Sequence, residues 1–67
     1  MTDFQATMIC EGNEEPPGET PEEQEASYYA AWQHLIDTGL AWSLQGWFGR
    51  EAMSLIEQGL CARKEDG

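Results

Sequence analysis

The side chains best suited to bind a metal or to attack a substrate are Cys10, His34 and Cys61, which are spread along a chain of 67 residues. A structural zinc site needs four ligands at recurring spacings, and these residues do not supply them. Nucleophilic catalysis needs a base beside the thiol and a third group that orients the base, and no motif provides both. We therefore predict two reduced thiols, an exposed histidine, no metal or cofactor, and no enzymatic activity.

The charge of the chain is strongly acidic and unevenly distributed. Thirteen acidic and three basic residues give a formal net charge of −10, and eight of the acids but none of the bases lie in residues 1–25. Direct binding to nucleic acid or to an anionic membrane needs a basic surface, so the composition predicts neither. The acidic segment is typical of a solvated, self-repelling tail, and it is also suited to mimic nucleic acid towards a basic protein.

We expect no segment of this sequence to direct the protein into or across a membrane. No apolar stretch approaches the roughly 20 residues that a membrane-spanning helix needs. The N-terminus also lacks the basic and then apolar order of a secretory signal. We expect the protein to stay in the compartment where it is made.

The first 19 residues are predicted to be an acidic, flexible N-terminal segment. Residues 1–10 alternate Phe4, Ala6 and Met8 with more polar positions, which fits a short strand, a docked arm or a peptide that pairs with another protein. Residues 11–19 combine glycines, prolines and acids, which is typical of a mobile linker.

Residues 20–61 are predicted to form a small all-α domain of three helices. Thr20 and Pro21 are typical of a helix start, and the apolar period continues to about Thr38. The sequence Leu-Ile-Asp-Thr-Gly-Leu ends this helix, and the similar Leu-Ile-Glu-Gln-Gly-Leu ends another at Gly59. A glycine just past a helix closes it in the left-handed conformation. We predict a long helix over 21–38, a short one over 40–45, a third over 48–58, and a polar tail over 62–67.

The predicted domain is rich in aromatic residues for its size. Each aromatic side chain can bury about 150–250 Å², and three helices of this length cannot cover them all. We therefore expect a homodimer or a bound partner to cover some of this surface. The candidate partner-binding residues are Tyr28, Tyr29, Trp42, Trp47, Phe48 and Arg50.

Two of these assignments have a structural alternative. Trp42, Trp47 and Phe48 fit a partner-facing patch and equally the core of a tight corner around the nearby glycines. Arg50 could contact a partner, or it could pair with Asp37 and offset the unfavourable position of that acid in the last turn of a helix.

About half of the chain resembles an uncharacterised family of short proteins encoded by tailed phages and prophages. The resemblance covers residues 29–61 and is carried by Ala31-Trp32, Leu35-Ile36-Asp37-Thr38-Gly39, Ala41-Trp42, Leu44-Gln45-Gly46, Phe48-Gly49-Arg50, Ala52-Met53, Leu55-Ile56-Glu57, Gly59 and Cys61. It implies a small accessory protein in the cytoplasm of a bacterial host, and it transfers no catalytic or binding residues. Trp47 replaces a small polar residue that is frequent in relatives, which weakens the cap of the third helix and favours an interface role.

The function predicted from the sequence is that of a non-enzymatic phage accessory protein that binds and inhibits a host bacterial protein. The first alternative is an acidic nucleic-acid mimic that acts on a DNA- or RNA-binding protein. A helix-turn-helix regulator is a weaker alternative, because the helix that would read DNA carries Glu51 and Glu57 against one arginine. A minor structural protein of the virion is the fourth.

Overall fold

The computed structural model describes residues 1–63, and within them it contains four α-helices and no β-strand. In chain order they are α1 (Asp3–Glu11), α2 (Pro21–Thr38), α3 (Leu40–Ser43) and α4 (Gly46–Glu57). The prediction of a small all-α fold is confirmed, with one helix more than expected. None of the described helices is both long and apolar enough to span a bilayer. Residues 64–67, in the predicted polar tail, lie outside the described part of the chain.

The boundaries of α2 follow from its capping residues, as predicted. The Thr20 hydroxyl accepts a hydrogen bond from the Glu23 backbone N–H at 3.1 Å, and Pro21 occupies the first helical position. Gly39 ends the helix with φ of +82°, a conformation that is costly for any residue with a Cβ atom. Its backbone N–H donates to the Ile36 carbonyl at 3.1 Å.

The end of α4 uses the same device. Gly59 has φ of +80°, and the Leu60 backbone N–H donates to the Leu55 carbonyl at 2.9 Å. This pairing is typical of the Schellman motif. The two leucines that follow the glycines differ, however, since Leu40 packs against the core and Leu60 is exposed.

The N-terminal residues differ from the expected short strand, docked arm or pairing peptide in one respect, because residues 3–11 form a helix, and this helix docks on α2. The Thr2 hydroxyl caps α1 by accepting from the Gln5 backbone N–H at 3.1 Å, and Gly12 closes it with φ of +82°. The buried side chains of α1 follow a helical spacing: they are Ala6, Ile9 and Cys10. The alternation that suggested a strand is misleading, because Phe4, its first member, is 74% exposed.

Each helix packs on the next one in the chain, α1 on α2, α2 on α3 and α3 on α4, and Trp32 of α2 also reaches Phe48 of α4. Their shared core contains twelve buried residues, namely Ala6, Ile9, Cys10, Ala31, Trp32, Leu35, Ile36, Ala41, Phe48, Ala52, Leu55 and Cys61. Three of them, Ala6, Ile9 and Cys10, come from α1, so residues 3–11 form part of the core of the domain.

The connection between α1 and α2 folds back on the start of α2. The Ser27 hydroxyl donates to the Pro17 carbonyl at 2.6 Å. Gly18 lies so close to α2 that a Cβ atom there would be 2.8 Å from the Gln24 backbone nitrogen. This part of the predicted linker is therefore held against the helix.

Candidate protein-binding surface

Trp42 is the most prominent aromatic residue at the surface of the helical domain. It lies on α3 and remains 50% exposed. The position that a Cβ atom would occupy at Gly49 is 3.4 Å from Trp42 Cε3, so the indole rests against the backbone of α4. The short helix α3 therefore holds one face of the indole against the protein and presents the other to solvent.

Two open clefts meet at the Trp42 side chain. One, of about 360 Å³, is lined by Ile36, Trp42, Met53 and Arg63. The other, of about 520 Å³, is lined by Trp42, Gly46, Gly49, Arg50, Met53, Ser54 and Glu57. Trp42 and Met53 line both clefts and each cleft includes an arginine, an arrangement suited to contact with another macromolecule.

Trp47 belongs to a separate cluster of aromatic rings. It is 38% exposed and stacks on Phe48, with ring centroids 4.0 Å apart. Trp32 approaches the pair from α2, with its centroid 6.2 Å from that of Trp47 in an edge-on arrangement. Phe48 is only 2% exposed and lies in the core, so it supports Trp47 from beneath and does not reach the surface itself.

Tyr28 and Tyr29 are half-buried on α2 and pack against the core. Their rings meet edge to face, with centroids 5.4 Å apart. The structure thus divides the predicted partner-binding residues. It places Trp42 beside Arg50, groups Trp47 with Phe48, and leaves the two tyrosines as a pair on α2.

The predicted ion pair between Arg50 and Asp37 does not form. Asp37 accepts a hydrogen bond from Gln33 Nε2 at 2.9 Å, and the same nitrogen donates to the Ala62 carbonyl at 2.8 Å. Arg50 is exposed and lies along the cleft beside Trp42. A polar contact with the C-terminal segment thus replaces the expected pairing.

His34, predicted to be simply exposed, is half-buried and connects two helices. Its Nε2 atom lies 2.6 Å from Asp3 Oδ1, which forms a hydrogen-bonded ion pair between α2 and α1 when the imidazole is protonated. A helix at residues 3–11 was not expected, so this contact had no sequence signal.

Both cysteines are free and buried. Burial, with smaller effects from the nearby Cys61 thiol and Glu11, raises the pKa of Cys10 to about 12. Burial and then the charge of Asp37 raise the pKa of Cys61. Because the thiolate is the reactive form, these pKa values make both thiols poor nucleophiles at neutral pH.

Residues 1–63 contain no group of three or more histidine, cysteine, aspartate or glutamate side chains placed to hold a metal ion. The described residues with the clearest capacity for contact are instead those around Trp42. Sequence reasoning missed Arg63 in this group. Its Nη2 atom lies 3.9 Å from Met53 Sδ, a contact that depends on how the chain turns after Gly59.

Residues 19–67 match a family described as a domain of unknown function, DUF7417. The chain belongs to the DUF7417 family. The match begins one residue before the cap of α2, so α1 precedes the matched DUF7417 segment. Searches of the curated proteins and of the solved structures gave no match.

Proposed function

We propose that this DUF7417 protein is a phage accessory protein that binds a host bacterial protein in the cytoplasm and inhibits it. The observation that carries the proposal is the half-exposed Trp42, which lines two open clefts, one with Arg63 and the other with Arg50. Tryptophan and arginine are the residue types in which interface binding energy concentrates. The chain buries Trp32 and Phe48 completely, so the exposure of Trp42 is not a consequence of general poor packing.

A protein partner suits this surface better than a small molecule does. Small-molecule sites are concave and bury most of their ligand, whereas both clefts beside Trp42 are open. The partner-facing residues in this proposal are Trp42, Arg50 and Trp47, and the separate tyrosine pair Tyr28 and Tyr29 on α2 is a further candidate contact. Phe48 has a supporting role, because it is buried beneath Trp47.

Self-association is a further part of the proposal. The protein has two aromatic surfaces, one around Trp42 and one around Trp47. One surface can therefore form the contact between two copies while the other contacts the host protein. A homodimer is the most frequent form of soluble oligomer.

The acidic nucleic-acid mimic is the alternative, and one observation favours it. Eight acids and no base lie in residues 1–25, and the first turn of α2 presents Glu22 and Glu23. Docking of α1 on α2 would present these charges from an ordered surface, as a mimic of phosphates requires.

Capture from bacterial lysate tests the two functions with matched variants. Tagged wild-type protein, W42A, W47A and F4A are compared, and bound proteins are eluted with increasing salt and identified by mass spectrometry. Phe4 is an exposed aromatic residue on α1, so F4A controls for the loss of exposed apolar surface.

The proposed function predicts one dominant protein that resists high salt, is retained by F4A, and is lost with W42A or W47A. The mimic predicts basic nucleic-acid-binding proteins that elute at low salt and bind all four variants equally. The second result would overturn the proposed function.

A further inference from the structure

The outer face of α4 carries no other helix among the described residues. The face is formed by Gly46, Arg50, Met53, Ser54 and Glu57, which line one cleft together with Trp42. These positions follow the spacing of a single helical stripe. The opposite side of α4 is buried in the core through Phe48, Ala52 and Leu55.

The two charged residues of this outer α4 face have opposite signs and a fixed spacing. Arg50 and Glu57 are two helical turns apart, which is about 10.5 Å along the axis. The one ion pair within residues 1–63 joins His34 to Asp3, so the described residues leave both Arg50 and Glu57 unpaired. The midpoint between them falls at Met53 and Ser54.

The charge pattern of the outer α4 face is self-complementary. When two copies of α4 lie antiparallel across a two-fold axis through the midpoint, position 50 of each copy lies opposite position 57 of the other. A two-fold interface uses the same patch on both subunits and needs self-complementarity of this kind. We propose that the outer α4 face is the homodimer interface, with Arg50 of each copy paired to Glu57 of the second copy.

The side chains along the stripe allow two helices to approach. Gly46 and Ser54 are small, which favours close packing of the two backbones. Met53 would lie near the axis as an adaptable apolar contact, and the exposed indole of Trp42 would cover one flank. The cleft that Trp42 lines with Ile36 and Arg63, and the aromatic cluster around Trp47, would remain available to the host protein.

The pairing would also offset the unfavourable location of the negatively charged Glu57 in the last turn of α4. The last turn of an α-helix disfavours an anion, and α4 has no basic residue there. In the antiparallel arrangement, Arg50 of the second copy lies beside this end and supplies the missing cation. The charge pattern thus selects a second copy of this chain, and the inference rests on the homodimer of the proposed function.

Charge reversal tests the interface through complementation. We compare wild-type protein, R50E, E57R and an equimolar mixture of the two variants by sedimentation equilibrium at physiological salt. Each substitution alone places like charges opposite each other twice, because the interface is symmetric. We expect the dimer dissociation constant to rise at least about tenfold in each. In the mixture one copy carries two acids and the other two bases, so heterodimers should form with at least wild-type affinity.

E51R is the matched control. Glu51 is exposed on the same helix but does not line the cleft, and E51R changes the net charge by the same amount as E57R. The inference predicts wild-type association for E51R. It is overturned if E51R and E57R behave alike, or if the mixture remains as dissociated as its components. A wild-type chain that sediments at 7.5 kDa at millimolar concentration overturns the homodimer itself and leaves the host-protein proposal intact.

Discussion

At the residue scale, burial decides what the most reactive side chain can do. Cys10 lies in the core between α1 and α2, where water is excluded and the Cys61 thiol is nearby. A buried thiolate loses its hydration, so the protonated form is favoured. The same thiol in the unfolded chain would ionise near pH 8.5. At neutral pH Cys10 is therefore a protonated, apolar side chain of the core and not a nucleophile.

The raised pKa of Cys10 predicts alkaline destabilisation. Its folded pKa is about 12, so the contribution of Cys10 is fully present below pH 8.5 and is lost as the pH rises towards 12. In this window the unfolded state has released the thiol proton and the folded state has kept it. The free energy of unfolding should fall by up to about 1.4 kcal/mol per pH unit. Urea denaturation between pH 7.5 and 10.5 measures the slope.

C10A is the control for this slope. Alanine has no proton to release, so the variant should be less stable at pH 7.5 but should lose less stability at high pH. Equal slopes for wild-type protein and C10A would show that another group causes the alkaline loss.

At the element scale, two glycines predict opposite outcomes for the same substitution. G49A adds a Cβ atom at an ordinary 3.4 Å from Trp42 within α4, where alanine favours the helix by up to about 1 kcal/mol. G18A forces a Cβ atom to 2.8 Å from the Gln24 backbone nitrogen at a φ of +149°. We expect G49A to stabilise the protein and G18A to destabilise it by about 1–3 kcal/mol. Thermal unfolding followed by circular dichroism measures both changes in stability. If both variants were more stable than the wild type, or both less stable, the different surroundings of Gly18 and Gly49 would not decide the effect of the added Cβ atom.

The docking of α1 predicts a large difference between two apolar residues of the same helix. Ile9 is buried against α2, whereas Phe4 is 74% exposed. I9A should cost about 2–5 kcal/mol through lost burial and the cavity left behind, and F4A should change stability by less than about 0.5 kcal/mol. Urea denaturation of both variants measures the difference. Similar stabilities would mean that α1 does not contribute to the core.

At the scale of the whole molecule, the net charge of −10 predicts a dependence of stability on salt. Repulsion among the acids disfavours the compact state, and salt reduces it by shortening the Debye length from about 30 Å at 0.01 M to 8 Å at 0.15 M. We expect the midpoint of thermal unfolding to rise by several degrees over this range, since about 1 kcal/mol corresponds to 4–8 °C in a domain of this size.

A variant with fewer N-terminal charges tests the origin of the salt effect. E14Q, E15Q and E19Q combined remove three exposed acids from the connection between α1 and α2. In this triple variant, the midpoint of thermal unfolding should rise less with salt than it does in the wild type. An equal rise of the midpoint in both proteins would mean that the repulsion arises from other acids. A midpoint that falls with salt in the wild type would mean that attractive ion pairs dominate.

The helix boundaries were predictable wherever a capping residue or a C-terminal glycine determines them. Thr20 and Pro21 start α2, and Gly39 and Gly59 close their helices in the left-handed conformation, as predicted. The start of α4 was placed two residues too late, at Phe48 instead of Gly46, because no side chain caps it. Capping hydrogen bonds involve residues close together in the chain, so a capped helix start can be recognised in the sequence. A helix that starts without a capping side chain has no such local pattern.

The candidate surface was only partly predictable, because residue type does not distinguish a buried ring from an exposed one. Trp42, Trp47 and Phe48 looked equivalent in the sequence, yet Phe48 is in the core and Trp42 is half-exposed. Their burial depends on the direction in which each helix faces its neighbours. The expected pairing of Arg50 with Asp37 failed for the same reason.

By itself, the sequence determined the all-α class, the extent of α2, the glycine closures of two helices and the acidic charge of the N-terminal region. Each of these depends on composition or on residues within one or two helical turns. Only the tertiary structure decided that residues 3–11 dock as a helix, that His34 meets Asp3, and that Trp42 lines one cleft with Arg50 and another with Arg63. These contacts join residues distant in the chain, and their partners are selected by packing, which no local pattern records.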